Sequence, residues 1–273
     1  MTVDDLIAYG KGRVHSDLAK MLLAELLEVN ALELFMILDK EVDNDIVEKY
    51  KMQVNELKEG KPIQYVIGNV NFYGLRFNVD ERVLIPRFET EQLVEETIKR
   101  IKNKYDDKNV SIIDLGCGSG AIGLTLKNAI PNSFVTLLDI SLDAIDVAKE
   151  NANNLGLEVN FKHNDMLDGI NEKYDVIISN PPYIKTNEEI EDIVRFNEPH
   201  KALFGGVDGL DLYREILKNI KNNLKEEYII AFEIGDTLKD DITNLIKEVL
   251  PDSKIECLKD LNNRDRMIFV ENE

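Results

Sequence analysis

The chain is poor in the residues that staple or metallate small folds. Of 273 residues only two are cysteine, Cys117 and Cys257, far apart and in no metal-ligand spacing. A disulfide framework is therefore excluded, and a reducing compartment is expected. The three histidines, His15, His163 and His200, share no ligand spacing either, so no metal site is expected. No Ser/His/Asp set and no paired-carboxylate arrangement stands out. Basic residues are the minority: 33 Lys and Arg against 52 Asp and Glu leave a formal net charge of -19. Contact with a nucleic-acid backbone wants clustered Lys and Arg, so direct nucleic-acid binding is not expected. The acidic balance permits a basic protein partner and reads equally as plain solubility. No apolar run approaches the roughly 20 residues that span a bilayer. Asp4 and Asp5 precede any apolar run, which does not suit a secretory signal. The expectation is a soluble, cytoplasmic chain with no membrane contact.

What is present points to two domains, the natural division for this length. A hydrophobic content of 44% suffices for a core. Up to residue 61 the apolar spacing is helical. Val3 to Tyr9 forms one short segment. Leu18, Met21, Leu22, Leu23, Leu26 and Leu27 follow Ser16-Asp17, which suits an N-cap. Leu32 to Leu38 and Ile46 to Leu57 supply two more helices, the last ended by Gly60 and Pro62. Residues 62–86 read as extended: Ile63 to Gly68 leads into Val70 to Val79, whose aromatics around Gly74 predict a β-hairpin that links the two parts. From 87 to 273 a helix near 89–102 precedes strands and helices in alternation, the mark of a mostly parallel sheet. Strands are expected at 110–115, 134–140, 159–163, 174–179, 228–234, 254–258 and 267–270. Helices fall at 120–129, 142–154, 210–224 and 237–249. The last two strands follow each other without a helix, which predicts an antiparallel edge. There is no internal repeat and no low-complexity tract.

Two segments carry chemistry. Asp114-Leu115-Gly116-Cys117-Gly118-Ser119-Gly120 follows an apolar strand and opens a helix, as a cofactor-cradling turn does. Its glycines accept positive φ and let a ligand approach without a Cβ in the way. Gly118 to Gly123 also matches the dinucleotide pattern G-x-G-x-x-G, and Asp139 lies where a ribose-binding acid would stand. The loop alone does not separate a nicotinamide cofactor from S-adenosylmethionine. Asp114 favours the latter, because an acid there suits the positively charged end of a methionine moiety and would repel a pyrophosphate. Asp139 suits both ribose hydroxyls; its alternative is an acid near the N-cap of the following helix, a part that Ser141 or Asp143 could fill. Asp165 suits the adenine amino group and Met166 the ring, although Asp165 also reads as an ordinary loop acid. Cys117 reads as a small filler in the loop, not a nucleophile.

The second segment is Asn180-Pro181-Pro182-Tyr183, which ends the apolar run Tyr174 to Ser179. It has no use in hydride transfer. The Asn180 side-chain oxygen and the Pro181 carbonyl suit the two hydrogens of a planar nitrogen, aiming its lone pair at an incoming methyl group. They would also answer the positive charge that develops on that nitrogen. Pro181 and Pro182 stiffen the segment and remove backbone donors, and Tyr183 suits stacking on the planar group. The bland alternative is a plain turn. Pro86-Arg87-Phe88-Glu89-Thr90-Glu91 reads equally as an ordinary helix start and as a cover over the methionine end of the cofactor.

Taken together, these residues resemble the protein-(glutamine) methyltransferases of the PrmC/HemK family, which act on peptide chain release factors. The resemblance covers nearly the whole chain: Pro62-Ile63-Gln64-Tyr65 with Gly68, Phe72-Tyr73-Gly74, Pro86-Arg87 with Thr90-Glu91, Asp114 to Gly123 and Asp139-Ile140-Ser141. It continues through Asn180 to Tyr183, Asn197-Glu198-Pro199 with Ala202-Leu203, Gly206 to Leu210 with Tyr213, and Glu233-Ile234-Gly235. Asn-Pro-Pro-Tyr alone is shared with amino-methylating enzymes of DNA and RNA; the combination is far more specific. Phe88, where the family often has Pro, and Met166, where some members carry an aromatic, depart from the pattern. The resemblance implies an α/β fold: a Rossmann-like, seven-stranded class I methyltransferase domain with a small N-terminal helical bundle joined by a β-hairpin. It implies S-adenosylmethionine as cofactor, S-adenosylhomocysteine as product, and the glutamine of the Gly-Gly-Gln loop of a bacterial release factor as target. Gly116, Gly118, Gly120, Asp139 and Asn180 would hold the cofactor, with Cys117 and Ser119 in the same loop. Asn180, Pro181, Pro182 and Tyr183 would hold the glutamine, and the N-terminal bundle would grip the body of the release factor. The alternatives are a glutamine methyltransferase of a ribosomal protein, an amino-methyltransferase of DNA or RNA, and a binding module that keeps the fold without catalysis. Intact Asp139 and Asn180 argue against the last.

Overall fold

The computed structural model describes residues 1–106 and 108–272. Two compact units partition the chain: Met1–Asn69 with Glu191–Asn197, and Val70–Ile190 with Glu198–Glu273.

The first unit is helical. Helix α1 (Val3–Lys11) starts at a capping box in which Thr2 and Asp5 satisfy each other's backbone N–H groups. Helix α2 (Ser16–Leu26) is capped by His15, one residue before the expected pair; its Nδ1 accepts the Asp17 N–H. Helices α3 (Ala31–Met36) and α4 (Asn44–Lys58) follow. Val47, Tyr50, Val54 and Leu57 of α4 recur at helical spacing and join Leu6, Leu22, Leu23 and Leu34 in one apolar core. Ile63 to Ile67, expected to be extended, form a fifth helix, α5 (Ile63–Ile67). Ile63, Val66 and Ile67 fall at i, i+3 and i+4, and they bury against this same core; Gln53 donates to the Val66 carbonyl. Gly68, at φ 87°, ends the helix.

The second unit takes up the chain at Val70, within the hairpin of β1 (Asn69–Phe72) and β2 (Leu75–Asn78), which turns at Tyr73-Gly74. The hairpin belongs to the sheet-bearing unit. Phe72 and Phe77 meet edge to face within its core, and Asn151 exchanges two hydrogen bonds with the Asn78 backbone. After α6 (Phe88–Tyr105), one sheet takes β3 (Ser111–Leu115), β4 (Phe134–Asp139), β5 (Asn160–His163), β6 (Tyr174–Ser179), β7 (Leu224–Glu233), β8 (Lys254–Lys259) and β9 (Asp265–Glu271). The strand order is β5-β4-β3-β6-β7-β9-β8, parallel except for β9, which runs antiparallel to both neighbours. The helices between strands are α7 (Ala121–Ala129), α8 (Leu142–Leu155), α10 (Asp211–Asn219) and α11 (Lys239–Val249); α9 (Asp192–Asn197) belongs to the first unit. Ile112, Ile113, Val176, Ile177 and Ile178 are fully buried, as strands covered on both faces require.

Two boundaries differ from the periodicity. The expected helix over 210–224 stops at Asn219, passes through a 3-10 turn, and becomes strand at Leu224. Leu224 pairs with Tyr174 across a bulge, so sheet pairing claims residues whose apolar spacing also fitted a helix. The short helix α9 carried no strong apolar period and was not expected. The fold is the seven-stranded α/β arrangement that the alternation implied. Its strand order reverses beside β3, and crevices beyond the carboxyl ends of strands at such a point are where α/β sheets bind ligands.

Candidate active site

At that reversal the second unit holds a cavity of about 500 Å³. Gly116, Asp139, Asp165, Met166, Asn180 and Pro182 line it together with Leu138, Ile140, Ser141 and Asn164. The rest of the lining includes Arg82, Leu84, Pro199, His200, Lys201, Ala202, Phe204 and Leu212. Residues from the ends of β3, β4 and β6 thus meet in one space.

The loop after β3 is held by its backbone. Gly116 and Cys117 both donate to the Leu138 carbonyl, at 2.8 and 2.9 Å. Gly116, Gly118 and Gly120 all have positive φ, which residues with a Cβ adopt only under strain. Cys117 and Ser119 are buried in the loop, and burial pushes the Cys117 thiol well up, as suits a filler. The Ser119 carbonyl accepts from Asn151 of α8.

Asp139 ends β4. Its Oδ2 accepts the Gly118 N–H and its Oδ1 the Ser141 N–H, both at 2.9 Å. Burial raises its carboxyl and these donors oppose the rise. A carboxylate has about four acceptor positions, so these donors leave acceptor capacity for a hydroxyl in the cavity. The capping role falls to Ser141, whose Oγ accepts the Ala144 N–H of α8. Asp165 is exposed at the rim, and buried Met166, at φ 41°, sets its side chain across Gly116.

Asp114 does not line this cavity. It is fully buried, and Oδ2 accepts the Gly123 N–H of α7 at 2.9 Å. Oδ1 has no hydrogen-bond partner among the described residues. Burial pushes its carboxyl up to about 7. The acid expected to face a methionine ammonium therefore anchors the start of α7.

The Asn-Pro-Pro-Tyr segment leaves β6 with Asn180 and Pro182 on the cavity and Pro181 buried between them. Asn180 Nδ2 donates to Thr90 Oγ1 at 3.2 Å. The Tyr183 hydroxyl faces Glu233 Oε1 at 3.4 Å and takes a hydrogen bond from Arg266 Nη1 at 3.3 Å. Burial raises the Tyr183 phenol and the Glu233 charge adds to it. Glycines of the 205–209 segment pass so close behind Pro182 and Tyr183 that a Cβ would meet their carbonyl oxygens at 2.3 Å from Gly205 and 2.4 Å from Gly209.

The donor set fits S-adenosylmethionine. An acid ends β4, a loop with glycine at Gly116, Gly118 and Gly120 follows β3, and Leu138, Ile140 and Met166 supply apolar walls.

Residues 8–68 match the PrmC N-terminal domain and residues 91–200 the methyltransferase small domain. The release factor glutamine methyltransferase of Bacillus cereus is 40% identical over 259 residues, which cover 93% of this chain and 92% of that protein. The chain belongs to the release factor glutamine methyltransferase family. Another member, from Streptococcus pneumoniae, is 44% identical over 218 residues, covering 79% of this chain and 77% of its own. Among solved structures, the 16S rRNA N2 G1207 methyltransferase of T. thermophilus, in complex with AdoMet and guanosine, superposes with a TM-score of 0.54. At 15% identity, over 75% of this chain and 50% of that one, it shares the fold alone.

As a member of this family the chain is a methyltransferase, and its site holds residues that the sequence placed only within longer segments, without a role of their own. Thr90 and Glu233 stand behind Asn180 and Tyr183, with Thr90 Oγ1 2.6 Å from Glu233 Oε2. Glu198, buried, accepts from Arg87 and from the Ile85 N–H, tying the segment before α6 to the cavity wall. One signal was available: Glu233 is a lone charge in the otherwise apolar run Tyr228 to Ile234. Among the described residues no helix is long and apolar enough to cross a membrane.

Proposed function

We propose that this chain methylates the glutamine side-chain amide in the Gly-Gly-Gln loop of a peptide chain release factor, with Asn180 to Tyr183 presenting that amide beside the cofactor cavity. The carrying observation is that Asp139 and Asn180, from the ends of β4 and β6, line one cavity. A cofactor-binding acid and a substrate-binding amide thereby share one space. S-adenosylmethionine supplies an electrophilic sulfonium methyl and leaves as S-adenosylhomocysteine. Gly116, Gly118, Gly120 and Asp139 are assigned to holding it, with Met166 and Asp165 at the adenine end.

A glutamine amide nitrogen is a poor nucleophile because its lone pair is delocalised into the carbonyl. Asn180 Oδ1 and the Pro181 carbonyl accept its two hydrogens and fix the plane of the group. Orientation of this kind supplies much of the barrier reduction for a reaction between two bound groups. The same oxygens answer the positive charge that grows on the nitrogen as the N–C bond forms and the S–C bond breaks. The nitrogen then gives up one proton to solvent water, and the product is a neutral N-methyl amide.

The first unit is assigned to holding the body of the release factor. Residues 8–68 match the family's N-terminal domain, and α2 and α3 leave Met21, Leu32, Phe35 and Met36 exposed, Leu32 at 78% and Met36 at 83%. An apolar group of this size on a small unit marks a contact surface.

The test is peptide mass spectrometry after incubation with S-adenosylmethionine and, separately, release factor, ribosomal proteins or duplex DNA. A gain of one methyl on the Gly-Gly-Gln peptide, absent with Asn180→Ala, is expected. A gain only on a ribosomal protein or on DNA would keep the chemistry and overturn the substrate.

A further inference from the structure

Thr90, Glu233 and Arg266 stand outside the cavity lining, yet they form one chain of hydrogen bonds to the two ends of Asn-Pro-Pro-Tyr. Thr90 lies in the first turn of α6 and Glu233 at the end of β7; they are 4% and 2% exposed. Asn180 Nδ2 stands 3.2 Å from Thr90 Oγ1, which stands 2.6 Å from Glu233 Oε2. The other carboxylate oxygen faces the Tyr183 hydroxyl, and that hydroxyl also accepts from Arg266. Arg266 is held in turn by the Ile234 carbonyl and by Asp260.

Proton inventory gives this chain a direction. An ionised carboxylate accepts only, and a threonine hydroxyl has one proton to donate. With Glu233 ionised, the Thr90 proton goes to Glu233 and only lone pairs remain for Asn180. Those lone pairs select the NH2 end of the amide, which leaves Oδ1 as the group that serves the substrate. Tyr183 is ordered by the same rule: it donates to Glu233 and accepts from Arg266.

We propose that Glu233, acting through Thr90, is a positioning residue that sets which end of the Asn180 amide meets the substrate nitrogen. The inference rests on the reading of Asn180 as the acceptor of the glutamine amide. It adds to that reading the group that holds the acceptor in its working orientation.

A dependence on pH follows. The groups facing Glu233 are Thr90 and Glu89 of α6, Tyr183 after β6, Arg266 of β9, and Tyr213 of α10, whose hydroxyl donates to the Glu233 carbonyl. Burial pushes the Glu233 carboxyl up to about 7, and the nearby Glu89 charge adds to the rise. Thr90, Arg266 and Tyr183 oppose it. Once protonated, Glu233 becomes a donor toward Thr90 or Tyr183. Thr90 is then free to donate to Asn180, which favours the turned amide.

The experiment measures kcat, KM and cofactor affinity between pH 6 and pH 9, with release factor as substrate. Wild type, Glu233→Gln, Thr90→Val, Thr90→Ser and Asn180→Ala are compared. Wild-type kcat should rise with pH through about 7 to a plateau. Glu233→Gln puts a permanent donor in the chain, so kcat should fall about 10- to 100-fold and lose that rise. Cofactor affinity by calorimetry should stay within about threefold. Thr90→Val, which keeps shape and removes the hydroxyl, should lower kcat to a similar degree, and Thr90→Ser should restore it. Wild-type kcat in both Glu233→Gln and Thr90→Val, with Asn180→Ala inactive, overturns the relay alone. So does Thr90→Ser failing as Thr90→Val does, which would mean that packing by the methyl group is what matters. Full turnover in Asn180→Ala overturns the underlying reading instead. If Glu233→Gln does not fold, the Thr90 pair and the wild-type pH profile still decide.

Discussion

Replacing Gly205 by alanine should cripple turnover while leaving cofactor binding intact. The φ of Gly205 is not positive, so alanine meets no dihedral penalty there and the effect is steric. Its Cβ would stand 2.3 Å from the Pro182 carbonyl oxygen and 3.0 Å from that of Gly209. Ordinary contact starts near 3.4 Å, so the backbones must part by about 1 Å. Neither neighbour is a flexible side chain that could swing away. Ile184 N–H bonds to the Leu203 carbonyl, Gly205 N–H to the Ile184 carbonyl and Thr186 N–H to the Gly206 carbonyl, at 2.9 to 3.1 Å. The ladder fixes the chain on the far side of Tyr183, which leaves Pro182 and its neighbours to move. A misplacement of about 1 Å at a positioning group costs roughly 100-fold in rate. The accompanying loss of stability should be about 1–3 kcal/mol. The assay is kcat on release factor at saturating cofactor, with calorimetry for cofactor affinity and thermal unfolding as a check on folding. Affinity should stay within about threefold, because Gly116 and Asp139 are held by bonds to Leu138, Gly118 and Ser141, away from Gly205. A folded Gly205→Ala enzyme with wild-type kcat would refute the idea that this glycine sets the position of Pro182.

Two further outcomes follow from Asp139 and Glu233. Asp139→Ala removes a carboxylate that lines the cavity and also releases the Gly118 and Ser141 N–H groups; cofactor affinity should fall by about 2–3 kcal/mol, roughly 30- to 150-fold, and calorimetry showing no loss would reject the assignment. Glu233 has its folded-state carboxyl at about 7 against an ordinary 4.5, so between these values the native state keeps a proton that the unfolded chain gives up. Stability from this group is therefore present at low pH and lost as pH rises through that window, by about 3 kcal/mol at about 1.4 per decade of proton affinity. Glu233→Gln does not titrate; its urea-unfolding stability relative to wild type should improve by that order between pH 5 and pH 8, and parallel curves for the two proteins would contradict the burial argument. A residue that costs stability at the working pH and is expected to raise kcat is the trade that positioning groups make.

The strands and most helices of the second unit were legible in the chain because their signals are short-range. Val110 to Leu115 and Tyr174 to Ser179 are dominated by branched apolar residues (Ile112-Ile113, Val176-Ile177-Ile178), as strands buried on both faces are, and glycines sit where the loop after β3 needs positive φ. Ile63 to Ile67 misled because five residues carry too little periodicity to choose between helix and strand; contact with the core around Val54 and Leu57 decided it. Leu224 was drawn into β7 by its pairing with Tyr174. Within the site, Asp139 and Asn180 could be picked out because each ends an apolar run and faces the cavity. The direction of Asp114 could not, since nothing local tells whether a strand-end acid turns to a ligand or to the Gly123 N–H. By itself the amino-acid sequence determined the class of fold, the cofactor loop and the Asn-Pro-Pro-Tyr segment, all set by neighbours a few positions apart. Only the tertiary structure joined Thr90 to Asn180, 90 positions away, and to Glu233, 143 positions away. That meeting depends on β6 and β7 lying side by side with α6 packed near their ends, and strand order is decided by how the whole core buries its apolar surface.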